Sequence, residues 1–272
     1  MTAPPEAMFT LTDDELQVVG DRIGVTDFPT VLAVRTRHGD RQSLDAARGL
    51  AMERLAARSV LHHATVVPEL ADMVRALGRP ARALAMRLVT PDGIARTIVV
   101  PRGTGWVLAR RVGDHIALRE TGHRCGLDGA VQLLLGELPA AEPLPVDAFG
   151  APTVALAACL DGTRSMSVLT DRLRGLGAAQ QVAAALGSAF AVRLAFAEIV
   201  CHWLDTTCDR IVTAPGAVAV FYTGRGRLVS APSASPSGQM WTTLKPGSEH
   251  RIAQAISQLA EFAPTGWEEA AQ

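Results

Sequence analysis

Apolar residues recur along this chain with two different spacings, and the change of spacing separates predicted helices from predicted strands. Thr12 and Glu15 form a capping box, and apolar residues at helical spacing follow until Gly24, which is typical of a helix end. Beyond it, the pattern predicts a strand at 31–36, a long amphipathic helix over 43–61 and a shorter helix from Pro68 to about Gly78.

From residue 82 the apolar period becomes two, which is typical of strands. In RALAMRLV (82–89), the side chains of Leu84, Met86 and Leu88 fall on one face, and those between them fall on the other. The turn signals TPDG (90–93) and Gly-Asp (113–114) separate this strand from ARTIVV, GWVLARRV and HIALRE. The segment therefore predicts an antiparallel meander with one apolar face.

The second half follows the same order of elements. A short strand, PVDAF, precedes a helix that has Pro152 in its first turn and ends at Asp161 and Gly162. Two further helices are predicted over about 164–173 and 178–186. Five strands follow, with the sequences RLAFAEIVCHWL, DRIVTA, AVAVFYT, RLVSAP and MWTTL, and a last helix is broken by Pro264.

The helices that close the two halves match position by position. The offset is constant, since 252 − 127 and 264 − 139 both give 125, and Gly122 likewise falls on Gly247. Any two amphipathic helices share part of this spacing. The shared Gly and Pro positions and the repeated element order nevertheless favour an internal duplication. In this alignment, Leu127, Ala130, Val131, Leu134, Leu135, Leu138 and Pro139 correspond, in order, to Ile252, Ala255, Ile256, Leu259, Ala260, Ala263 and Pro264.

Two such halves would each leave an unpaired sheet edge and a half-covered apolar face, and pairing them about a pseudo-twofold axis removes both problems. We therefore predict an α+β fold with a duplicated pseudo-twofold architecture, in which a central antiparallel β-sheet carries two helical bundles. Residues 1–272 would form a single domain made of two structural repeats, about 1–145 and 146–272.

Composition and charge narrow the class of function. A chain of 272 residues with 48% hydrophobic and 19% charged residues can build a substantial core. A net charge of −1 gives no electrostatic footprint for nucleic acid or an anionic membrane. The N-terminal sequence has no signal-peptide pattern, and the most apolar stretch (178–200) is interrupted by polar residues such as Arg193. We expect a cytoplasmic protein without membrane insertion.

The four cysteines do not predict a metal site. Cys125, Cys159, Cys201 and Cys208 form no CxxC pair, and a reducing compartment is the simplest assignment. Cys201, His202 and Cys208 are the most metal-like group, but Cys201 and His202 would point to opposite faces of a strand. That leaves two ligands where zinc needs four.

Other patterns of catalytic residues are missing from the sequence. There is no GxSxG elbow, and Gly103-Thr104-Gly105 precedes a strand, whereas a phosphate loop precedes a helix. We therefore predict no enzyme activity and no cofactor. The arginines on the predicted meander are better explained by a solvated or helix-covered sheet surface than by an anion site; these are Arg87, Arg110, Arg111 and Arg119.

Apolar residues in turns and short helices are the feature that stands out. Those on a short helix, Met166, Leu169 and Leu173, have two interpretations: they form either a core face or a shallow apolar surface that binds a partner helix or loop. The residues are Ile94 after the first hairpin turn, Trp203 and Leu204 at the tip of the corresponding second-half hairpin, and Met166, Leu169 and Leu173 on one face of a short helix.

The C-terminal segment 227–267 resembles the C-terminal signature of the EspG family, the secretion-associated chaperones of actinobacterial type VII (ESX) systems. The family pattern is a strand, a spacer, a Trp, a PGS motif, an amphipathic helix and a closing element similar to P-x-G-x-W. Here Trp241, Pro246-Gly247-Ser248 and Pro264-Thr265-Gly266-Trp267 fill those places, with the last Trp directly after Gly266. The segments FTLTDDELQVVGDRIGVTDFPTVLAVRT and GWVLARRVGDHIAL are similar to further family segments, so the resemblance covers nearly the whole chain. It is greatest to the branch that serves the third ESX system.

The resemblance implies a cytosolic, non-enzymatic chaperone with a duplicated α+β fold, without metal or cofactor. Family members bind the exposed apolar tip of the PPE subunit in PE/PPE heterodimers, keep the heterodimer soluble and direct it to its secretion system. Carried onto this sequence, the implied partner-binding residues are Thr90, Pro91, Asp92, Gly93, Ile94 and Arg96 in the first-half loop, Ser165, Met166, Leu169, Thr170 and Leu173 in the C-terminal bundle, and Leu204, Asp205, Thr206 and Thr207 at the second-half hairpin tip.

Two other interpretations stay open. A small-molecule-binding or enzymatic domain on the same scaffold would show a deep polar pocket or clustered titratable groups. An assembly component would self-associate through an open strand edge. As a chaperone, the protein is expected to be a monomer or a weak homodimer, and its closing helix is expected to cover the sheet without touching the partner.

Overall fold

A computed structural model describes residues 8–63, 65–121, 126–264 and 267. Among these residues the first half contains β1 (Met8–Leu11), α1 (Asp13–Ile23), a 3₁₀ helix (Thr30–Leu32), α2 (Arg41–Ala57), β2 (Leu61–His62), β3 (Thr65–Val66), α3 (Pro68–Gly78), β4 (Arg82–Thr90), β5 (Gly93–Arg102), β6 (Gly105–Val112), β7 (His115–Thr121) and α4 (Leu127–Leu135). The second half contains β8 (Phe149–Pro152), α5 (Thr153–Leu160), α6 (Met166–Gly175), α7 (Gln180–Ala191), β9 (Arg193–Asp205), β10 (Arg210–Thr213), β11 (Val218–Thr223), β12 (Gly226–Ala234), β13 (Met240–Pro246) and α8 (Glu249–Ala260).

The predicted α+β fold with a large antiparallel sheet is confirmed. The strands follow the order β1-β7-β6-β5-β4-β9-β11-β12-β13-β8, and β10 pairs with the far part of β9. The two halves meet at the antiparallel pair β4–β9, where Arg82 lies opposite Trp203 and Val89 lies opposite Phe196. Counted outward from this pair, the strand order is the same on both sides. Two repeats would give this order; their division near residue 145 stays a prediction.

The two sides of the sheet carry different helices. Helices α1–α3 pack on one side of the first half, over buried residues such as Ala85 and Ile98. Helices α5–α7 pack over Leu228 and Leu244 in the second half. The strand registers run from Val89 through Phe196 to Phe221 and Leu228, so both bundles lie on the same side of the sheet.

Helices α4 and α8 cover the middle of the opposite side. Their apolar stripes share one core with β4, β9 and β11, which confirms that both closing helices face the sheet; the buried helical residues are Ala130, Val131, Leu134, Ile252, Ala255, Ile256, Leu259 and Ala260. Trp267 packs on this core, with ring centroids 6.2 Å from Trp106. Gly122, Thr265 and Gly266 lie outside the described residues.

The PGS motif has a structural role. Pro246 is the last residue of β13, and the amide of Gly247 donates to the carbonyl oxygen of Arg227 at 2.8 Å. A Cβ atom at Gly247 would lie 2.8 Å from the Arg227 carbonyl carbon, which is too close for any other residue. Ser248 then caps α8, because its side chain accepts a hydrogen bond from the amide of Arg251.

The predicted strand at 31–36 is wrong. The capping box at Thr12 is present, and Asp13 in the first turn of α1 holds the buried Arg111 through contacts of 2.6 and 2.9 Å. Arg111 also donates to the carbonyl oxygens of Leu32 and Ala33 at 3.0 and 3.2 Å. These carbonyls therefore accept from a side chain, and the segment forms a 3₁₀ turn that ends with Ala33 at φ 49°.

Two predicted boundaries also shift. The strand assigned to PVDAF occupies Phe149–Pro152, where Pro152 pairs with Trp241 and caps α5 from outside the helix. The long helix begins at Arg41 and ends at Ala57, because Ser59 adopts φ 57° and a two-stranded ribbon follows.

Candidate partner-binding groove

A strip of sheet between the two helical bundles is only partly covered. Along β9, Ala197, Ile199 and Cys201 are buried against α8, whereas the alternate residues on the bundle side are half-buried. The strip continues onto the neighbouring part of β4. We call it the central groove and define its floor as Arg87, Val89, Phe196, Glu198, Val200 and His202.

One ion pair lies at the centre of this floor, with Val89 and Phe196 on one side of it and Val200 and His202 on the other. Arg87 and Glu198 lie directly opposite each other in the β4–β9 register, and their side chains approach to 2.9 Å. They are 42% and 43% exposed, so the pair is reachable from solvent. An opposite-charge cross-strand pair of this kind contributes about 0.2–1 kcal/mol.

The first predicted loop closes one end of the groove, which we call the hairpin end. Thr90 pairs with Gly93 around the turn, and Gly93 adopts φ 139°, a conformation that glycine reaches without strain. Ile94 follows the turn and is 42% exposed. Val89, the pairing partner of Ile94, lies opposite Phe196, so this turn is close to the start of β9.

The beginning of α6 reaches the same end. Arg164, just before α6, donates to the carbonyl oxygen of Arg193 at 3.1 Å, which ties this segment to the first residue of β9. Next to that contact, Leu194 is 60% exposed, and Met166 at the start of α6 is 55% exposed. The structure thus brings the first-half loop and the exposed start of α6 to one end of the groove.

The other predicted residues of α6 are less accessible. Leu169 and Leu173 are 1% and 0% exposed and belong to the core beneath α5–α7. Thr170 is half-buried against α7, since a Cβ atom at Gly187 would lie 2.3 Å from its hydroxyl oxygen. For Leu169 and Leu173 the expected partner contact is therefore corrected to a role in the core. Ser165 is exposed and caps the helix.

The second-half hairpin lies at the opposite end of the groove. Val89, next to the first turn, pairs with Phe196, whereas Arg82, at the far end of β4, pairs with Trp203. Leu204 lies eight residues after Phe196 along β9, which is about 26 Å at the rise per residue of a strand. Asp205 accepts from the hydroxyl and amide of Thr207, and these hydrogen bonds hold the pKa of Asp205 below its usual value.

Trp203, predicted at the hairpin tip, instead lies within β9 between Arg82 and Val212, and its side chain packs partly buried against the core under α4 and α8. Thr206 and Thr207 are exposed, as expected for a hairpin tip, and Leu204 and Asp205 are half-exposed. The three predicted groups of residues thus mark two ends of one groove and do not form a single cluster.

A small apolar cavity of about 170 Å³ adjoins the groove near this second end. A cavity of this size accommodates one large apolar side chain. No local sequence pattern predicts it, because its walls come from five separate segments of the chain; they include Phe28, Val31, Leu77, Ala83, Ile98, His202 and Ile211.

The cysteine and histidine of this region face different environments. Cys201 points into the core and His202 points into the groove, which confirms the prediction that they lie on opposite faces. Burial raises the pKa of the Cys201 thiol to about 12 and lowers the pKa of His202. In the part of the chain that the structure describes, no three His, Cys, Asp or Glu side chains come together as a metal site. The same residues include no helix that is both long and apolar enough to cross a membrane.

Comparison with known proteins identifies the fold first. The chain resembles the Mycobacterium tuberculosis type VII secretion system chaperone EspG5, solved in complex with a PE25–PPE41 dimer, with a TM-score of 0.79. The match covers 96% of this chain and 99% of that one at 16% sequence identity. The chain therefore has the fold of EspG5, a type VII secretion system chaperone.

The sequence then identifies the family. A family model for the EspG family matches residues 12–258. The ESX-1 secretion-associated protein EspG1 of Mycobacterium tuberculosis is 30% identical over 269 residues, which cover 94% of this chain and 87% of the relative. The ESX-3 secretion-associated protein EspG3 of Mycolicibacterium smegmatis is 26% identical over 260 residues, with the same coverage. The chain belongs to the EspG family. Since relatives from both systems match, assignment to the ESX-3 branch stays a prediction.

Proposed function

We propose that this protein is a cytoplasmic chaperone that binds the apolar tip of a PE/PPE heterodimer through its PPE subunit. Binding keeps the heterodimer soluble and directs it to a type VII (ESX) secretion system. The chaperone acts without catalysis, metal or cofactor. The observation that carries the proposal is membership of the EspG family together with the fold of EspG5, a protein solved in complex with a PE25–PPE41 dimer.

The central groove supplies a suitable surface. Its floor has the apolar Val89 and Phe196 on one side of the Arg87–Glu198 pair and Val200 on the other, and exposed apolar side chains lie at the hairpin end. Scattered apolar side chains are normal on a protein surface, but Ile94, Leu194 and Met166 are concentrated at one place beside an open sheet face. A partner helix tip that lies in the groove would cover these residues.

Association of the free chaperone is proposed to be absent or weak. The outermost strands, β1 and β8, have four residues each, and short edge strands are poor templates for edge-to-edge pairing. Light scattering of the purified protein checks this: a stable dimer or larger species at micromolar concentration would favour the self-associating interpretation.

Co-expression tests the chaperone function. Each PE/PPE pair of the same genome is produced with and without this protein, and soluble material is separated by gel filtration. We expect one or more pairs to be soluble only with this protein and to co-elute with it as a ternary complex. PE/PPE pairs that are all soluble alone and never co-elute with it would refute the proposal.

A matched pair of substitutions tests the groove. Leu194→Asp at the hairpin end should weaken the complex at least about tenfold, because a carboxylate would be buried against an apolar partner. Leu50→Asp is the control, since Leu50 on α2 is 53% exposed, compared with 60% for Leu194, and lies outside the groove. Equal loss of binding in both variants would exclude the groove as the specific contact surface.

A further inference from the structure

The hairpin end of the groove carries more positive than negative charge. A depression of about 460 Å³ opens there beside Ile94. Asp92 is the one acidic residue that lines it among the described residues. Five arginines line the same depression: Arg35, Arg37, Arg96, Arg110 and Arg111.

Three of these arginines are neutralised within the protein. Arg111 is held by Asp13, and Arg37 contacts Asp13 at 3.1 Å and Asp114 at 2.6 Å. Arg110 contacts Glu137, at 2.9 Å. Their positive charge therefore does not require a partner.

Arg96 is different because of its place in the sheet. The register puts Arg87, Arg96 and Arg111 in one row across β4, β5 and β6, on the side of the helical bundles. Like charges directly opposite each other on neighbouring strands are destabilising. Glu198 neutralises one end of the row and Asp13 neutralises the other, whereas Arg96 lies between two other guanidinium groups.

Within the described residues, Arg96 has no carboxylate at ion-pair distance. Its guanidinium donates to the carbonyl oxygen of Val31 at 3.4 Å, which keeps it at the wall of the depression. Arg35 lines the same depression, is exposed, and likewise has no carboxylate partner among the described residues. Two unneutralised guanidinium groups thus stand beside the exposed Ile94.

We infer that Arg96, with Arg35 beside it, binds a carboxylate side chain of the PPE subunit that flanks the apolar tip of that subunit. This inference rests on the proposed chaperone function. A guanidinium and a carboxylate form short, charge-assisted hydrogen bonds, often two in parallel, which are about twice as strong as those between neutral groups. A carboxylate placed here would also offset the repulsion along the row Arg87, Arg96 and Arg111. The arginines would then determine which PE/PPE dimers bind, while the apolar floor supplies contact area.

The test compares Arg96→Gln with the wild-type protein, using the PE/PPE dimer that co-elutes with the wild type. The dissociation constant is measured at about 50 mM and about 500 mM NaCl, because salt screens charge pairs. We expect Arg96→Gln to bind about tenfold more weakly at low salt, with a smaller difference at high salt. Arg41→Gln is the control, since Arg41 on α2 is 94% exposed and lies outside the groove.

Thermal stability separates recognition from a structural role. Arg96→Gln removes a charge from the arginine row, so its melting temperature should equal or exceed that of the wild type. Arg96→Glu should bind more weakly still, and replacing the matching PPE carboxylate by arginine should restore binding.

Three outcomes would overturn the inference. The first is equal binding of Arg96→Gln and the wild type at low salt. The second is a fall in melting temperature that accounts for lost binding. The third is that the wild type binds no PE/PPE dimer, in which case the proposed function fails as well; the first two leave that function intact.

Discussion

Helix α6 offers a sharp test because two of its residues should behave in opposite ways. Leu169 is 1% exposed and packs in the core beneath α5–α7, whereas Met166, one turn earlier, is 55% exposed at the hairpin end of the groove. Truncation of each to alanine removes a similar amount of apolar side chain. Leu169→Ala should therefore destabilise the fold, and Met166→Ala should weaken partner binding.

The magnitudes follow from burial. Leu→Ala in a packed core costs about 2–5 kcal/mol, because the transfer free energy is lost and a cavity remains. For 272 residues the unfolding entropy is roughly 0.57 kcal/mol/K, at about 2.1 cal/mol/K per residue. A loss of about 3 kcal/mol thus lowers the melting temperature by roughly 5 °C. Met166→Ala, at an exposed site, should change stability by less than about 0.5 kcal/mol.

Circular dichroism melts and urea titrations measure the stability of both variants, and gel filtration with the PE/PPE dimer measures binding. Binding of Leu169→Ala is measured well below its melting temperature, so that the folded variant is compared with the folded wild-type protein. A wild-type melting temperature for Leu169→Ala, or an equal fall for Met166→Ala, would refute the assignment of core and contact residues on this helix.

Three further predictions concern the fold and its thiols. Asp13→Ala should lower the free energy of unfolding by about 3–5 kcal/mol in urea titrations, because Arg111 is left buried without its carboxylate. Gly187→Ala should destabilise by about 1–3 kcal/mol in the same titrations, since its methyl group would lie 2.3 Å from a hydroxyl oxygen of α6. Cys201, buried and with its pKa raised to about 12, should stay unalkylated by iodoacetamide at pH 8, while the exposed Cys208 reacts, as read by peptide mass spectrometry.

Each of these predictions has an internal comparison. For the first, the control is Asp45→Ala, because the Asp45 side chain is 68% exposed and its loss should leave the urea midpoint unchanged within error. An equal shift of the urea midpoint in Asp13→Ala and Asp45→Ala would contradict the argument that Arg111 needs a buried partner. For the second, the control is Gly175→Ala in α6, where an added Cβ atom would have no other atom within 4 Å. Equal destabilisation by Gly175→Ala and Gly187→Ala would contradict the argument from close packing. Alkylation of Cys201 as fast as that of Cys208 in the native protein would contradict its burial.

Local patterns predicted most elements because their causes are local. The Thr12 capping box, strand β4 and the apolar stripes of the closing helices each need only neighbouring residues, and the structure contains all of them. The single apolar face predicted for the meander is wrong, because Ala83 and Ala85 are buried under the first bundle while Leu84 and Met86 are buried on the opposite side. The prediction of a strand at 31–36 is also wrong, in this case because the cause of the observed conformation is not local. Its backbone conformation depends on Arg111, 79 residues away from Leu32, and no local pattern reports that contact.

The candidate site was only partly predictable for the same reason. Turn chemistry located both hairpin tips, but only the pairing of β4 with β9 places them at opposite ends of one groove. The pattern does not single out the exposed Leu194, because the residues that follow it, Ala195, Phe196 and Ala197, are apolar on both faces of β9, so buried and accessible positions look alike there. For Leu169 the helical spacing was correct, but spacing cannot say whether the core lies on that side.

The pairing of β4 with β9 also shapes how this protein is made. Arg87 and Glu198 are separated by 111 positions, so β4 leaves the ribosome well before its partner strand exists. At a translation rate of about 5–20 residues per second, the nascent first half waits roughly 6–20 s with an open strand edge. Charged side chains at Arg82 and Arg87 interrupt that edge, and charges of this kind oppose pairing with another chain. A protein proposed to shield the apolar tip of its partner thus has an exposed surface of its own to protect during synthesis.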